Sequence, residues 1–172
     1  RIETAVESFA TDFGGIDILY NNAGGATPRD DHLLNMPLDE FDAAIALNLF
    51  GPFAACRSVI PHMASRGGGS IINTASIRSM IGTVGADGYT SAKGGIVTLT
   101  MALAVQCAPK GIRVNAIAPG YIATEMVMAV PKDVLDTKVI PQIPVGRLGQ
   151  AEEIARCVVF LASDDAGFVT GS

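Results

Sequence analysis

Short apolar segments alternate along this chain with longer segments of helical periodicity. The apolar segments 16–20, 70–74 and 112–117 each have the length of a β-strand, and a helical pattern separates each one from the next. Because parallel strands need a crossover connection, usually a helix, this order predicts an α/β fold with a parallel sheet. The expected architecture is a Rossmann-like, doubly wound parallel sheet.

Four helices are predicted around these strands, at 1–13, 41–63, 89–108 and 151–162. The longest pattern has apolar residues at spacings of three and four: Phe41, Ile45, Leu49, Phe53, Cys56, Ile60 and Met63. Three strands make a thin sheet, the first helix begins without an N-cap, and the last residues look like the start of another strand. We therefore expect residues 1–172 to be one domain, the middle and C-terminal part of a longer subunit whose first βαβ units and last strand are absent from this chain.

Charge and composition argue against several classes of protein. The 17 acidic residues outnumber the 12 basic ones, so a surface that neutralises phosphates is not expected, and neither nucleic acid nor a membrane is predicted as a partner. Cys56, Cys107 and Cys157 are far apart in apolar helical stretches, which predicts buried free thiols in a reducing cytoplasm. Asp30-Asp31-His32 is interpreted as a solvated loop, and no metal site is predicted.

The pair formed by Tyr89 and Lys93 is the most informative chemical feature. A spacing of four on a helix places the phenol and the ammonium on the same face. An ammonium held close to a phenol stabilises the phenolate, which makes proton transfer easier near neutral pH. The same spacing also occurs on ordinary helix surfaces, so the pair alone leaves both interpretations open.

Two further polar residues lie where an active site of such a fold would form. Ser76 follows the strand 70–74 at the carboxyl edge of the sheet, and its hydroxyl could bond either a substrate carbonyl or its own backbone in a turn. Asn48 interrupts the apolar stripe of a helix that contains Pro52, which removes the hydrogen bond to the Asn48 carbonyl. That carbonyl is suited to hold an ordered water; the alternative is a tolerated kink with a solvent-facing amide.

The sequence resembles the short-chain dehydrogenases/reductases over essentially all of its length. The motifs occur in the order seen in that family: Asn21-Asn22-Ala23-Gly24, Asn48, Ser76, Tyr89-x-x-x-Lys93 and Pro119-Gly120. The resemblance implies an NAD(P)-dependent enzyme in which Tyr89 is the general acid for carbonyl reduction and the base for alcohol oxidation. It also implies that Lys93 promotes this proton transfer, that Ser76 orients the carbonyl, and that Asn48 keeps a water linking Lys93 to solvent.

The resemblance further implies where the cofactor, NADP or NAD, would bind. The implied contacts are Asn22, Ala23 and Gly24 near the adenosine side, Tyr89 and Lys93 at the nicotinamide ribose, and Pro119, Gly120, Ile122 and Thr124 around the nicotinamide. NADPH is favoured by the resemblance alone. Residues 1–172 contain no counterpart of the glycine-rich loop that grips the pyrophosphate in this family, so we expect them by themselves to bind cofactor weakly and to be inactive.

The segment 121–149 is expected to form a lid over the substrate. The stretches 120–127, 133–136 and 143–149 are similar to those of acetoacetyl-CoA reductases, and the lid's methionines and valines suit an acyl chain. Substrate contacts are expected from Ser76, Tyr89 and Tyr121, and carrier phosphates could meet Lys132, Lys138 and Arg147. The sequence therefore favours an acetoacetyl-CoA or other 3-oxoacyl-thioester reductase.

Several alternatives stay open. Thr83 and Ala86 replace glutamines that acetoacetyl-CoA reductases tend to have, which leaves a 3-oxoacyl-carrier-protein reductase or an alcohol or sugar dehydrogenase of the same family. A silent scaffold or binding subunit could also keep this fold, although the full set of four catalytic residues favours an enzyme. The helix 89–108 is apolar on two faces, which predicts burial against the sheet and against a neighbouring subunit. Members of the family usually form tetramers or dimers through this helix and the preceding one, so the resemblance implies a homo-oligomer, with a tetramer as the expected state.

Overall fold

The computed structural model of the chain describes all residues from 1 to 172 and has the predicted parallel α/β order. Its three strands are β1 (Ile18–Asn21), β2 (Gly69–Thr74) and β3 (Ile112–Ile117), side by side in that order. β2 lies in the centre and pairs in parallel with both neighbours. All three strands therefore end at the same edge of the sheet, and the loops that follow them meet there.

The helices connect the strands and cover the sheet. They are α1 (Ile2–Phe13), α2 (Leu38–Ile45), α3 (Gly51–Ser65), α4 (Asp87–Cys107), α5 (Glu125–Met128), α6 (Lys132–Val134) and α7 (Ala151–Ala162). A π-helical turn, Ala46–Phe50, joins α2 to α3 in one long helical segment. The four predicted helices are thus confirmed, with small shifts at their ends.

Each face of the sheet has its own apolar core, because successive side chains of a strand point to opposite faces. Ile71 of β2 packs with Val59 and Met63 of α3, in a cluster that also includes side chains of α1 and α4. The next residue, Ile72, packs on the other face against Leu161 of α7. Helices on both faces are the hallmark of the doubly wound arrangement that the sequence predicts.

The prediction of three buried thiols is correct for two cysteines. Cys56 and Cys107 are buried and free, and burial raises the pKa of the Cys56 thiol to about 11. Cys157 is also free, but it is exposed. The prediction is wrong there because the sheet-facing side of α7 runs through Val158 and Leu161, and Cys157 lies beside that side.

Two helical segments, Leu38–Ser65 and Asp87–Lys110, are long and apolar enough to cross a membrane by length and composition alone. Core helices of soluble proteins pass the same test, so this property is a weak indication. Here α3 and α4 pack on one face of the sheet. Each segment also contains a buried polar side chain with a backbone partner, Asn48 in the first and Lys93 in the second. Both segments therefore serve as the helical layer of the α/β fold.

Candidate active site

The loops that leave the three strands bring most of the predicted site residues to one edge of the sheet. Asn22-Ala23-Gly24 follows β1, Ser76 follows β2, and Pro119-Gly120 follows β3. The first two turns of α4 contribute Tyr89 and Lys93. Open parallel sheets bind their ligands outside the carboxyl ends of the strands, so this edge is the expected place for a site.

Lys93 is the most buried charged side chain of the chain, at 3% exposure. Its Nζ donates a hydrogen bond to the carbonyl oxygen of Thr74 at 2.6 Å and lies 5.5 Å from the centroid of the Tyr89 ring. Burial lowers the pKa of Lys93 from 10.5 to about 8, because water no longer solvates the charge. The structure therefore brings the predicted pair together in a partly desolvated place, where charges interact strongly.

Asn48 is fully buried and ties the β1 loop to the helical layer. Its Nδ2 donates to the carbonyl oxygens of Gly25 (2.9 Å) and Ala44 (3.0 Å), and its Oδ1 accepts the Gly25 N–H at 2.9 Å. A Cβ at Gly24 would stand 2.6 Å from this Oδ1 and 3.1 Å from the Nζ of Lys93, so only glycine fits there. Gly24, Asn48 and Lys93 are thus mutual neighbours, and a solvent-facing amide at Asn48 is excluded.

Ser76 begins the short turn Ile77–Ser79 that follows β2. Its Oγ accepts the backbone N–H of Arg78 at 3.2 Å, so the hydroxyl caps its own turn. A hydroxyl that accepts one hydrogen bond still has its own hydrogen to donate. Ser76 can therefore hold the turn and at the same time donate to a substrate carbonyl, and the two interpretations of this residue are compatible.

A cavity of about 420 Å³ opens beside the loop that follows β3. Its lining includes five predicted cofactor residues, Asn22, Pro119, Gly120, Ile122 and Thr124. The remaining lining residues were not predicted: Tyr20, Thr74, Val127, Ala151, Ile154 and Ala155. The volume lies in the usual range for small-molecule and cofactor sites.

Thr74 connects this cavity to the lysine. Its carbonyl binds Lys93, and its Oγ1 is buried without a hydrogen-bond partner while the residue lines the cavity. Buried hydroxyls without partners are rare, and the Oγ1 of Thr90 is the other one in this chain. Through its backbone carbonyl, Thr74 thus joins a largely apolar cavity of cofactor size to the buried lysine. Strand alternation could have identified Thr74, because it follows Ile72 by two residues and shares its face.

Comparison with known proteins gives the family. A family model described as enoyl-(acyl carrier protein) reductase matches residues 1–172. The acetoacetyl-CoA reductase of Rhizobium meliloti (strain 1021) is 53% identical over 161 residues, which are 94% of this chain and 66% of that protein. A crystal structure from Burkholderia xenovorans, of a protein assigned to the short-chain dehydrogenases/reductases, matches with a TM-score of 0.91 and 34% identity, over 99% of this chain and 65% of that one. The chain belongs to the short-chain dehydrogenase/reductase family.

Two other relatives match over nearly the whole chain. The acetoacetyl-CoA reductase of Shinella zoogloeoides is 50% identical over 173 residues, covering 99% of this chain and 71% of that protein. The 3-oxoacyl-[acyl-carrier-protein] reductase FabG of Thermotoga maritima is 39% identical over 171 residues, covering 99% and 68%. The chain thus spans about two thirds of the length of these family members.

In this short-chain dehydrogenase/reductase, the two ends of the segment predicted to be the lid are hydrogen-bonded to each other. Ile122 and Gly149 form an isolated parallel bridge, with Gly149 N–H donating to the Tyr121 carbonyl at 3.0 Å and Ala123 N–H to the Gly149 carbonyl at 2.8 Å. α5 and α6 lie between these ends. Tyr121 is 40% exposed and lines a second depression, outside the 420 Å³ cavity. Its contact with substrate stays a prediction.

Arg147 connects the predicted lid segment to α7. Its two terminal nitrogens donate to the Glu153 carboxylate at 2.7 and 2.8 Å, and the same carboxylate accepts the N–H of Gln150 at 2.8 Å. The hydrogen bonds from Arg147, followed by the one from Gln150, lower the pKa of Glu153 to about 2. Lys132 is paired with Asp136 inside the lid. These pairings favour structural roles for both cations over the predicted contacts with carrier phosphates.

Asp30 was predicted to lie in a solvated loop, and that prediction is wrong. It is 7% exposed, and its carboxylate accepts the N–H of Gly88 at 3.0 Å and that of Tyr89 at 2.8 Å. The neighbouring Asp31 and His32 are only partly covered or exposed, as predicted. No local pattern could have identified Asp30, because its partners lie 58 and 59 residues away in the chain.

Proposed function

We propose that this chain forms the catalytic part of an NAD(P)-dependent 3-oxoacyl-thioester reductase, with acetoacetyl-CoA as the best substrate. The observation that carries the proposal is the buried ammonium of Lys93 beside the ring of Tyr89, at the sheet edge from which Ser76 emerges. Relatives that are 53% and 50% identical are named acetoacetyl-CoA reductases, which supports the substrate.

In the direction of reduction, Tyr89 donates its phenolic proton to the carbonyl oxygen, while the Ser76 hydroxyl donates a hydrogen bond to the same oxygen. With a pKa of about 8, Lys93 is still mostly protonated at neutral pH, and its charge stabilises the phenolate that Tyr89 leaves behind. A reduced nicotinamide, when bound, supplies the hydride that adds to the carbonyl carbon. In the direction of oxidation, the Tyr89 phenolate takes the proton from the alcohol.

The residues that would hold the nicotinamide cofactor come from all three strand ends. Asn22-Ala23-Gly24 and the segment from Pro119 to Thr124 would flank it, and Thr74 and Lys93 would lie close to it. Asn48 supports this set through its hydrogen bonds to Gly25 and through its position next to Gly24, which also adjoins Lys93. We propose NADPH over NADH from the resemblance to acyl-thioester reductases.

The lid supports an acyl substrate. Met126, Met128 and Val145 are exposed on it, and flexible methionines adapt well to an alkyl chain. A 3-oxoacyl-carrier-protein reductase is the second candidate, because relatives with 39% and 41% identity carry that name. The buried free thiols of Cys56 and Cys107 fit a reducing compartment, and we propose the cytoplasm.

Replacing Tyr89 with Phe in the intact protein tests the function. Phe keeps the ring beside Lys93 but removes the proton, so we expect turnover of acetoacetyl-CoA to fall by about 10²–10⁴-fold. NADPH absorbance measures the rate, and fluorescence titration of NADPH and circular dichroism show whether binding and folding are kept. Acetoacetyl-carrier protein and a simple ketone, assayed in parallel with wild type, decide between the substrate candidates. Unchanged turnover in Tyr89→Phe would instead indicate a protein that does not use this site for chemistry.

A further inference from the structure

The loop between β1 and α2 docks on the start of the helix that carries Tyr89. The first N–H groups of a helix have no partner inside it, and a side chain from the residue just before the helix usually satisfies some of them. The residue at that place here is Ala86, which has no polar side chain and a left-handed backbone with φ of 55°. The carboxylate of Asp30 takes over this task from a distant segment, with one oxygen on Gly88 and the other on Tyr89.

The docking is reciprocal. The Asp87 carboxylate accepts the N–H of Leu33 at 2.8 Å, so each segment supplies a carboxylate to the backbone of the other. Two backbone hydrogen bonds of 3.2 Å add to this, from Ala86 N–H to the carbonyl of Asp30 and from Asp87 N–H to that of Asp31. The contact is also close, since a Cβ at Gly88 would lie 3.3 Å from an Asp30 oxygen. The start of α4 is therefore held by a set of specific hydrogen bonds in both directions.

The same loop is fixed at its other end by Asn48, which binds both backbone groups of Gly25. The loop thus links the surroundings of Lys93 to the backbone of Tyr89. Charge-assisted hydrogen bonds from a carboxylate to backbone N–H groups are among the stronger ones in proteins. Loss of the Asp30 contacts would let the first turn of α4 move, and the phenol would move with it.

We propose that Asp30 is a positioning residue, which holds the first turn of α4 so that the Tyr89 phenol stands at the correct distance from the substrate carbonyl. This role rests on the proposed function of Tyr89. It differs from a general contribution to stability, because the two N–H groups that Asp30 binds belong to Tyr89 itself and to the residue before it.

The substitution Asp30→Asn in the intact protein tests this role. Asparagine has the same shape, but an NH₂ group replaces one of the two carboxylate oxygens, so one of the two N–H groups would face a donor and the charge on both hydrogen bonds is lost. A reacting group displaced by about 1 Å can cost about 10²-fold in rate, so we expect kcat for thioester reduction to fall by about 10- to 100-fold. The KM values for cofactor and thioester should stay within about twofold, because Asp30 touches neither. Asp31→Asn removes the same charge one residue away and should leave kcat unchanged.

The outcomes separate positioning from simple stability. If Asp30→Asn keeps its kcat, or loses kcat only to the extent that it also loses cofactor affinity and melting temperature, the proposal is overturned. Amide hydrogen exchange at Gly88 and Tyr89 gives an answer that does not depend on turnover. Faster exchange at these two amides in Asp30→Asn, but not in Asp31→Asn, supports the role. If the wild-type protein reduces no thioester, the proposed function is refuted. If the exchange of the Gly88 and Tyr89 amides is also unchanged in Asp30→Asn, the anchoring by Asp30 is refuted as well.

Discussion

Lys93 should make the stability of this protein depend on pH in an unusual direction. The side chain is almost completely buried, and its only hydrogen-bond acceptor within the chain is the neutral carbonyl of Thr74. No carboxylate forms an ion pair with it, and burial alone lowers its pKa from 10.5 to about 8. The folded protein therefore binds this proton less tightly than the unfolded chain does.

The sign and the size of the pH effect on stability follow from the difference between the pKa of Lys93 in the folded protein and that in the unfolded chain. Below pH 8 the lysine is charged in both states, and the folded state bears a cost of about 3 kcal/mol for holding that charge away from water. Between pH 8 and pH 10.5 the folded state releases the proton first, so the cost shrinks as the pH rises. Lys93→Met, which keeps the length of the side chain without its charge, should lack this part of the pH dependence.

Urea unfolding followed by circular dichroism at pH 7.5, 9 and 10 measures the effect. The free energy of unfolding of wild type should rise relative to that of Lys93→Met by about 2 kcal/mol over this range. Lys110→Met, which removes an exposed lysine just beyond the other end of α4, controls for the loss of a charge. If the difference in the free energy of unfolding between wild type and Lys93→Met were the same at all three pH values, burial would not lower the pKa of this lysine.

Two further predictions concern the lid and the assembly. Glu153→Gln should free Arg147 and speed proteolysis of the segment 121–149, whereas Glu152→Gln should not. Because the pKa of Glu153 is about 2, its carboxylate stays charged as the pH falls to 4. The stabilising contact with Arg147 in wild type should therefore persist at pH 4 and be lost only near pH 2. The intact protein should form a homo-oligomer through the outer face of α4, where Val105 is 78% exposed. Val105→Lys should therefore lower the mass measured by light scattering, and Gln106→Lys should leave that mass unchanged.

The parts of this structure that follow from local rules could be predicted from the sequence. Strand and helix positions follow from periodicity, and the pairing of Tyr89 with Lys93 follows from their spacing on one helix. The contacts made by Asp30 could not be predicted, because they depend on how a loop folds back over a helix. The exposure of Cys157 could not be predicted for a related reason, since an apolar neighbourhood in sequence does not say which side of α7 meets the sheet.

Asn48 shows how a small change in helix geometry alters which side chains of a helix are buried. The predicted apolar stripe treated this amide as an interruption, yet the buried line of the long helical segment runs through Ala44, Asn48 and Pro52, and the predicted Phe53 is 43% exposed. The π-helical turn Ala46–Phe50 adds a residue to one turn and makes this register possible. A buried amide is tolerated only when its polar atoms are paired, and here they pair with both backbone groups of Gly25. An apolar residue at this position would leave those two groups without partners beside Lys93, so the site, rather than the core, accounts for the amide.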